Sequence, residues 1–245
     1  MKLEKTILKK LVPYKNKERA KHDRGYMNTK LDLLGCNMPS VRQVAARVFD
    51  DLSLSHQEMR LVMNKLWQTS KTFDILHIPL IYFQNRKETN DLADWKIIKN
   101  WSNKIDNWAH SDYLSDSIAA LLERYPAKIY PELKKWNESS NPWQRRLSLT
   151  SLIYYAPQRK KPLPVTKVLP LVKARLGDTD PFVQKAVGWT LRECHNIYPV
   201  ATKDFVKKNI CSLSSTAFSY ATEKWGTIDK ELLKTIRKNY RKKYA

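Results

Sequence analysis

Along most of this 245-residue chain, apolar residues recur at the three- and four-residue spacing of an α-helix. This pattern predicts amphipathic helices that each bury one face, and we see no convincing series of β-hairpin turn signals. The sequence therefore predicts an all-α protein. The clearest stripes are Val41-Val44-Ala45-Val48-Phe49-Leu52, Leu61-Met63-Leu66-Trp67, Ile118-Leu121-Leu122-Tyr125 and Leu169-Val172-Leu176.

Capping residues and scarce glycines support the helical prediction. Pro39-Ser40 is expected to open the first stripe, and Ser55 with Glu58 matches a capping box. Gly177 follows the fourth stripe, where a C-cap glycine is expected. The chain has only five glycines, and none are spaced for G-x-G-x-x-G or a P-loop. Glycine-built phosphate sites are thereby excluded.

Two segments resemble each other at a spacing of 39 residues, namely 141–146 (NPWQRR) and 180–185 (DPFVQK). Each has an N-cap residue, a proline, an aromatic residue and a base. A period near 40 is typical of HEAT-like helical repeats, which stack into a curved α-solenoid. We therefore predict one domain over residues 1–245, with a concave basic face for DNA, a loop at 158–170 and a basic tail from about 230 to 245.

The formal net charge of +21 indicates an anionic partner, and nucleic acid fits it best. An acidic membrane surface or an acidic protein are the alternatives. The segment Met1 to Lys5 lacks the apolar core of a signal peptide, and no apolar stretch approaches the length of a membrane span, so we expect neither. Its three cysteines are far apart, and its five histidines form no H-x-x-x-H pair. We expect a cytoplasmic, nucleoid-associated protein that contacts no membrane and uses neither metal nor cofactor.

Trp108 and Asp112 are four residues apart and share one face of a predicted helix. An indole ring beside a carboxylate suits a cationic ligand, because both attract positive charge. The alternative is a core tryptophan with a surface aspartate one turn later. His110 and Asp112 are two residues apart and point to different sides, which disfavours a His–Asp dyad.

Two further groups invite a functional interpretation. Trp189 and Arg192 share a helix face, and Gly188 permits close approach of a neighbouring helix or of a ligand; ordinary packing with an Arg192–Glu193 surface pair is the alternative. Arg145 and Arg146 lie in the first turn of a predicted helix, where cations oppose the helix dipole. They are expected to face an anion, either a phosphate or a nearby carboxylate in a buried salt bridge.

Taken in order, these motifs resemble the AlkD-type DNA alkylation-repair glycosylases, a family of HEAT-like repeat proteins. The resemblance runs from about Tyr26 to Trp225. It is carried by Tyr26-Met27 with the segment Leu34 to Arg42, by Trp108-Ala-His-Ser-Asp112, by Trp143-Gln-Arg-Arg146 and by the segment Phe182 to Glu193. The family's site often has an acidic residue directly after the first tryptophan, where this chain has Ala109.

The resemblance implies a DNA glycosylase that acts as a monomer on duplex DNA carrying cationic alkylpurines such as 7-methylguanine or 3-methyladenine. It implies no dedicated pocket for a flipped base. The implied catalytic residues are Asp112, Trp108 and Trp189. The implied DNA-binding residues are Arg146, Arg192, Arg145, Tyr26, Arg42 and Lys185. The alternatives are a non-catalytic HEAT-repeat protein that binds damaged or branched DNA, and a helical scaffold for an acidic protein.

Overall fold

The computed structural model describes residues 2–244, with side chains for residues 2–239. These residues form helices joined by short connections, so the all-α prediction is confirmed. The one β pairing among them is an isolated parallel bridge between Asp32 and Thr72. The helices are α1 (Lys2–Leu11), α2 (Lys17–Met27), α3 (Met38–Leu52), α4 (His56–Thr69), α5 (Phe73–Asn85), α6 (Leu92–Trp101), α7 (Trp108–Arg124), α8 (Pro126–Asn137), α9 (Pro142–Thr150), α10 (Val165–Lys173), α11 (Pro181–Ile197), α12 (Pro199–Lys208), α13 (Ser215–Ala221) and α14 (Thr227–Tyr244).

The chain divides into two compact units, an N-terminal unit up to Ser117 and a C-terminal unit from Ile118. The N-terminal unit is organised around α5, in which every residue from Phe73 to Phe83 is buried. A helix that is apolar on all sides is typical of a core position. Helices α1, α3 and α4 pack against it, and α6 packs on α4.

Helix α11 has the corresponding central place in the C-terminal unit, where α9, α10, α12 and α13 pack against it. Its contact with α13 depends on Gly188. A Cβ atom at this position would lie 2.4 Å from the carbonyl oxygen of Ala217 and 2.6 Å from the Cβ of Tyr220. Gly188 therefore serves the close approach of a neighbouring helix, one of the two uses left open by the sequence.

Most of the predicted helix starts are confirmed. Ser55 and Glu58 form the capping box at the start of α4. In the two similar segments, Asn141 and Asp180 cap α9 and α11 through their side chains, and a proline follows each cap. Helix α3 begins slightly earlier than predicted, at Met38, and its cap is Asn37.

Two predictions about the connections are wrong. Helix α10 ends at Lys173, and Gly177 is no C-cap, because the chain leaves α10 through tight turns that need no left-handed residue. The loop predicted at 158–170 is shorter than expected, since α10 begins at Val165 and contains Pro170. Pro164 directly precedes the helix, a place where proline is tolerated.

Two residues of the predicted stripes also lie elsewhere. Leu61 is 62% exposed on α4, and Tyr125 follows α7 as the residue that precedes α8. Arg241, Lys242 and Lys243 of the predicted basic tail lie outside the described side chains, and Ala245 lies outside the described residues. The solenoid shape, its concave face and the single domain stay predictions.

Candidate functional site

The residues implied as catalytic or DNA-binding fall into two sets, one on each unit. The N-terminal set is Tyr26, Arg42, Trp108 and Asp112, and the C-terminal set is Arg145, Arg146, Lys185, Trp189 and Arg192.

The start of α7 positions Trp108 and Asp112. The side-chain oxygen of Asn107 accepts a hydrogen bond from the backbone N–H of His110 (2.9 Å), which is an N-capping contact. The neighbouring Asp106 accepts hydrogen bonds from the Thr29 hydroxyl (2.8 Å) and the Lys30 backbone N–H (2.9 Å). These contacts tie the first turn of α7 to the segment that follows α2.

Trp108 and Asp112 are both partly exposed one turn apart on α7, whereas His110 and Ser111 are buried. The rings of Trp108 and Tyr26 are nearly perpendicular, with centroids 5.5 Å apart. Tyr26 itself is 60% exposed. The alternative of a core tryptophan is therefore wrong. The N-terminal unit thus presents Trp108 and a carboxylate on one accessible face of α7, with Tyr26 of α2 against Trp108, a combination expected for a cationic ligand.

Two buried histidines, one on α7 and one on α5, lie in contact at the inner side of α7. His110 and His77 have ring nitrogens 3.3 Å apart, and each also lies within hydrogen-bonding distance of the carbonyl oxygen of Phe73. Burial lowers the pKa of His77 to about 4 and that of His110 well below its ordinary value. Both rings are neutral at physiological pH and support the helix from inside.

Arg42 is exposed on α3 and reaches the residue next to Asp112. Its Nη2 donates a hydrogen bond to the hydroxyl of Tyr113 (2.9 Å), and its guanidinium carbon lies 5.8 Å from the centre of that ring. Tyr113 was not predicted from the sequence. Its position directly after Asp112 gives no periodic signal, because adjacent residues on a helix face different directions.

In the C-terminal unit, Arg145 forms the salt bridge that was one of its two alternatives. Its Nε and Nη2 donate to the two carboxylate oxygens of Asp178 (2.6 and 3.1 Å). Its Nη1 donates to the carbonyl oxygens of Ser139 (3.0 Å) and Ser140 (2.9 Å). This arrangement holds the start of α9 and weighs against Arg145 as a DNA contact, which stays an untested prediction.

We expect Asp178→Asn to destabilise the protein by about 1–3 kcal/mol at pH 7, because it removes a bidentate charge-assisted pair. Burial raises the pKa of Asp178, but hydrogen bonding and attraction from Arg145 lower it by a larger amount. The pKa of Asp178 is therefore below its ordinary value. The difference in the free energy of unfolding between wild type and variant is therefore constant above about pH 3.9, the pKa of an aspartate in the unfolded chain. It shrinks as the pH falls through the lower pKa that Asp178 has in the folded protein. Urea denaturation at several pH values measures this difference; a gap that persists unchanged into strong acid would contradict the prediction.

Arg146 lies at the contact between α9 and α11. It is 7% exposed, and its Nη1 donates to the carbonyl oxygen of Phe182 (2.9 Å). The Phe182 ring packs on Trp143 with centroids 5.0 Å apart, and the ammonium of Lys185 lies 5.2 Å from the centre of the Phe182 ring. The structure thus brings Arg146 and Lys185 to the same end of α11.

Trp189 and Arg192 lie further along α11, and both are partly exposed. The guanidinium carbon of Arg192 is 5.8 Å from the centre of the Trp189 ring. Its Nε donates to Glu193 (3.1 Å) and its Nη1 to Glu223 (2.7 Å). Burial alone lowers the pKa of Arg192, but these two carboxylates outweigh it and raise the pKa above its ordinary value.

Glu193 is 3% exposed, so the pair it forms with Arg192 is not the surface pair expected from the sequence. A carboxylate this deeply buried needs partners that satisfy its oxygens. The second oxygen of Glu193 accepts a hydrogen bond from the backbone N–H of Ala156 (3.0 Å). Glu193 therefore links α11 to the segment that follows α9.

The segment that follows α9 contains two tyrosines, Tyr154 and Tyr155, that were not predicted from the sequence. The ring of Tyr154 lies 5.1 Å from Trp189, and that of Tyr155 lies 6.3 Å from it in an edge-to-face arrangement. Both tyrosines are outside any α-helix, so helical spacing gave no signal for them. Together with Trp189 they form an aromatic cluster on the C-terminal unit.

The family model described as "DNA alkylation repair enzyme" matches residues 7–225, which is most of the chain. The chain belongs to this family. Helix α14 begins after the last matched residue. A comparison with curated protein sequences finds no match.

Solved structures support the same assignment at the level of the fold. A protein described as a predicted DNA alkylation repair enzyme from Enterococcus faecalis has a TM-score of 0.72 at 14% identity, over 87% of this chain and 97% of its own. AlkD2 from Streptococcus mutans has a TM-score of 0.56 at 17% identity, over 77% of this chain and 90% of its own. The protein smu.31 from Streptococcus mutans UA159 has a TM-score of 0.55 at 17% identity, over 75% and 98%.

Two features are absent from the part of this family member that the structure describes. No helix in that part is both long and apolar enough to cross a membrane. In the same part of the chain, no group of three or more His, Cys, Asp or Glu side chains is arranged to hold a metal ion.

Proposed function

We propose that this DNA alkylation repair family member is a glycosylase that hydrolyses the N-glycosidic bond of cationic alkylpurines in duplex DNA. The observation that carries the proposal is the partly exposed pair of Trp108 and Asp112 on α7, one helical turn apart. A carboxylate and an indole on one accessible face are suited to positive charge, and positive charge is what distinguishes these lesions from normal bases.

The substrate supplies much of the reactivity. A purine alkylated at N7 or N3 carries a positive charge, and it becomes neutral when it takes the electron pair of the bond between N9 and C1′. The departing base therefore needs no strong general acid. The remaining positive charge develops on the deoxyribose as an oxocarbenium-like ion, as in other glycoside hydrolysis.

Asp112 is proposed to stabilise that charge. A carboxylate held beside C1′ lowers the energy of the oxocarbenium-like transition state by direct electrostatic attraction. It also orients a water molecule and accepts its proton as the oxygen bonds to C1′. The products are the free neutral base and an abasic site in an intact strand. His110 is neutral and buried on another side of α7, so it forms no dyad with Asp112 in this step.

The other residues are proposed to bind. Trp108 and Trp189 present indole rings to the cationic lesion and sugar. Arg146 and Arg192, with Lys185, Tyr26 and Arg42, are proposed to contact the sugar–phosphate backbone, which fixes the position of the enzyme on the duplex without reading its sequence.

The direct test is base release from alkylated DNA. Calf thymus DNA treated with a methylating agent is incubated with the protein, and the soluble fraction is analysed for free 7-methylguanine and 3-methyladenine by liquid chromatography. We expect time-dependent release above the spontaneous rate. No release, with binding to the same DNA retained, would contradict the proposal and favour the non-catalytic DNA-binding alternative.

DNA binding should weaken steeply with salt. Each neutralised phosphate releases counterions. For a protein that makes six phosphate contacts, raising the salt concentration from roughly 50 to 200 mM should therefore lower the affinity about a thousandfold. Fluorescence anisotropy with an undamaged labelled duplex over that range measures the dependence of affinity on salt, and Lys185→Gln, which removes a partly exposed cation, should reduce that dependence by about one phosphate contact. A flat salt response of the wild-type protein would contradict the backbone contacts.

A further inference from the structure

Tyr155 has a backbone conformation that is unfavourable for its side chain. Its φ of 48° and ψ of 80° lie in the left-handed region, which costs a residue with a Cβ free energy. The other residues with positive φ besides glycine are Asn28 and Ser53, among those the structure describes. Both are small polar residues that end helices, where this conformation is ordinary. Tyr155 ends no α-helix, so helix termination does not explain its conformation.

Two hydrogen bonds hold the peptide group that follows Tyr155. The carbonyl oxygen of Tyr155 accepts a hydrogen bond from the backbone N–H of Gln158 (2.8 Å). The next residue, Ala156, is buried and donates its N–H to the buried carboxylate of Glu193. Glu193 also accepts from Arg192 on α11. The strained residue is thus fastened to the same helix that carries Trp189 and Arg192.

The side chain gains little from burial in return. Tyr155 is 51% exposed, and its described ring contacts are with Tyr154 (5.3 Å) and Trp189 (6.3 Å). A strained backbone that holds an exposed aromatic ring beside a proposed substrate-binding tryptophan fits binding better than stability, because such strain clusters at functional sites.

We propose that Tyr155 is a specificity-determining residue that contacts the alkylated nucleotide beside Trp189 and favours a cationic base over a neutral one. This rests on the proposed function. The physical basis is the electron-rich face of the phenol ring, which attracts a cationic purine more strongly than an uncharged one. With this left-handed backbone conformation, the Tyr155 ring lies with its centroid 6.3 Å from that of Trp189 on α11.

The substitution Tyr155→Gly separates an effect on DNA binding from an effect on folding. Glycine adopts positive φ without cost, so Tyr155→Gly should keep or raise the melting temperature while it removes the ring. Tyr155→Phe keeps the ring and serves as the matched control. The probe is a duplex with one 7-methylguanine whose sugar carries a 2′-fluorine, which destabilises the oxocarbenium ion and keeps the base attached. The reference is the same duplex with unmethylated guanine.

We expect wild type and Tyr155→Phe to prefer the methylated duplex, and Tyr155→Gly to lose about tenfold of that preference without loss of thermal stability. An unchanged preference in Tyr155→Gly, or no preference in wild type, would overturn the proposal. Base release from the corresponding duplex without fluorine is measured in parallel. Loss of preference in Tyr155→Gly with no base release by wild type would leave the assignment of Tyr155 standing and refute the glycosylase function.

Discussion

Asp112→Asn should reduce the rate of 7-methylguanine release by about a hundredfold to a thousandfold, the usual effect of removing one preorganised electrostatic group. Asparagine has nearly the same shape but carries no negative charge, so it stabilises an oxocarbenium-like ion poorly. Asp112 is partly exposed, and the first turn of α7 is held by Asn107 and Asp106. Folding and DNA affinity should therefore change little. Single-turnover release from a duplex with one lesion measures the rate.

Asp50→Asn is the matched control, because Asp50 is an exposed carboxylate on α3 of the same unit and has no assigned role. It removes one negative charge from the N-terminal unit, as Asp112→Asn does, and should leave the rate unchanged. If both variants released base at the wild-type rate while remaining folded, Asp112 would not be the catalytic carboxylate.

Gly188→Ala should lower the free energy of unfolding by about 1–3 kcal/mol, because the added methyl group overfills the contact between α11 and α13. The new Cβ would lie 2.4 Å from the carbonyl oxygen of Ala217 and 2.9 Å from its Cα, and a helix backbone has little freedom to yield. The helix propensity of alanine offsets only about 1 kcal/mol of this cost. Differential scanning calorimetry should show a melting temperature about 2–8 °C lower.

Gly25→Ala provides the matched comparison within another helix. Gly25 lies inside α2, and a Cβ atom at this position would meet nothing within 4 Å. Here only propensity acts, so the variant should be about 0.5–1 kcal/mol more stable than wild type. Equal effects of the two substitutions would show that the close approach at Gly188 does not govern stability.

Helix spacing and capping residues predicted the fold class and several helix starts correctly. The caps at Ser55, Asn141 and Asp180 were confirmed, because capping depends on residues that are local in sequence. Helix ends were harder to predict. Gly177 matched the pattern of a C-cap, but the turns after α10 close without a left-handed residue.

Helical periodicity predicted only part of the candidate site. Spacing along α7 and α11 predicted that Trp108 shares a helix face with Asp112 and Trp189 with Arg192, whereas their proposed roles came from the resemblance to the AlkD-type family. Asp178, the partner of Arg145, is 33 residues away in sequence and lies outside any helix, so no spacing rule points to it. The position of Tyr155 depends on a backbone conformation that its residue type disfavours, and sequence patterns cannot anticipate that.

The measurement that tests the central claim most directly is the product balance on a duplex carrying one 7-methylguanine. Wild-type protein is incubated with the duplex until reaction stops, and free base, abasic sites and strand breaks are quantified from the same sample. Hydrolysis of the glycosidic bond predicts one abasic site for every free 7-methylguanine, in strands that remain unbroken. An intact lesion with the protein bound to it, or a base lost without a matching abasic site, would contradict the glycosylase account.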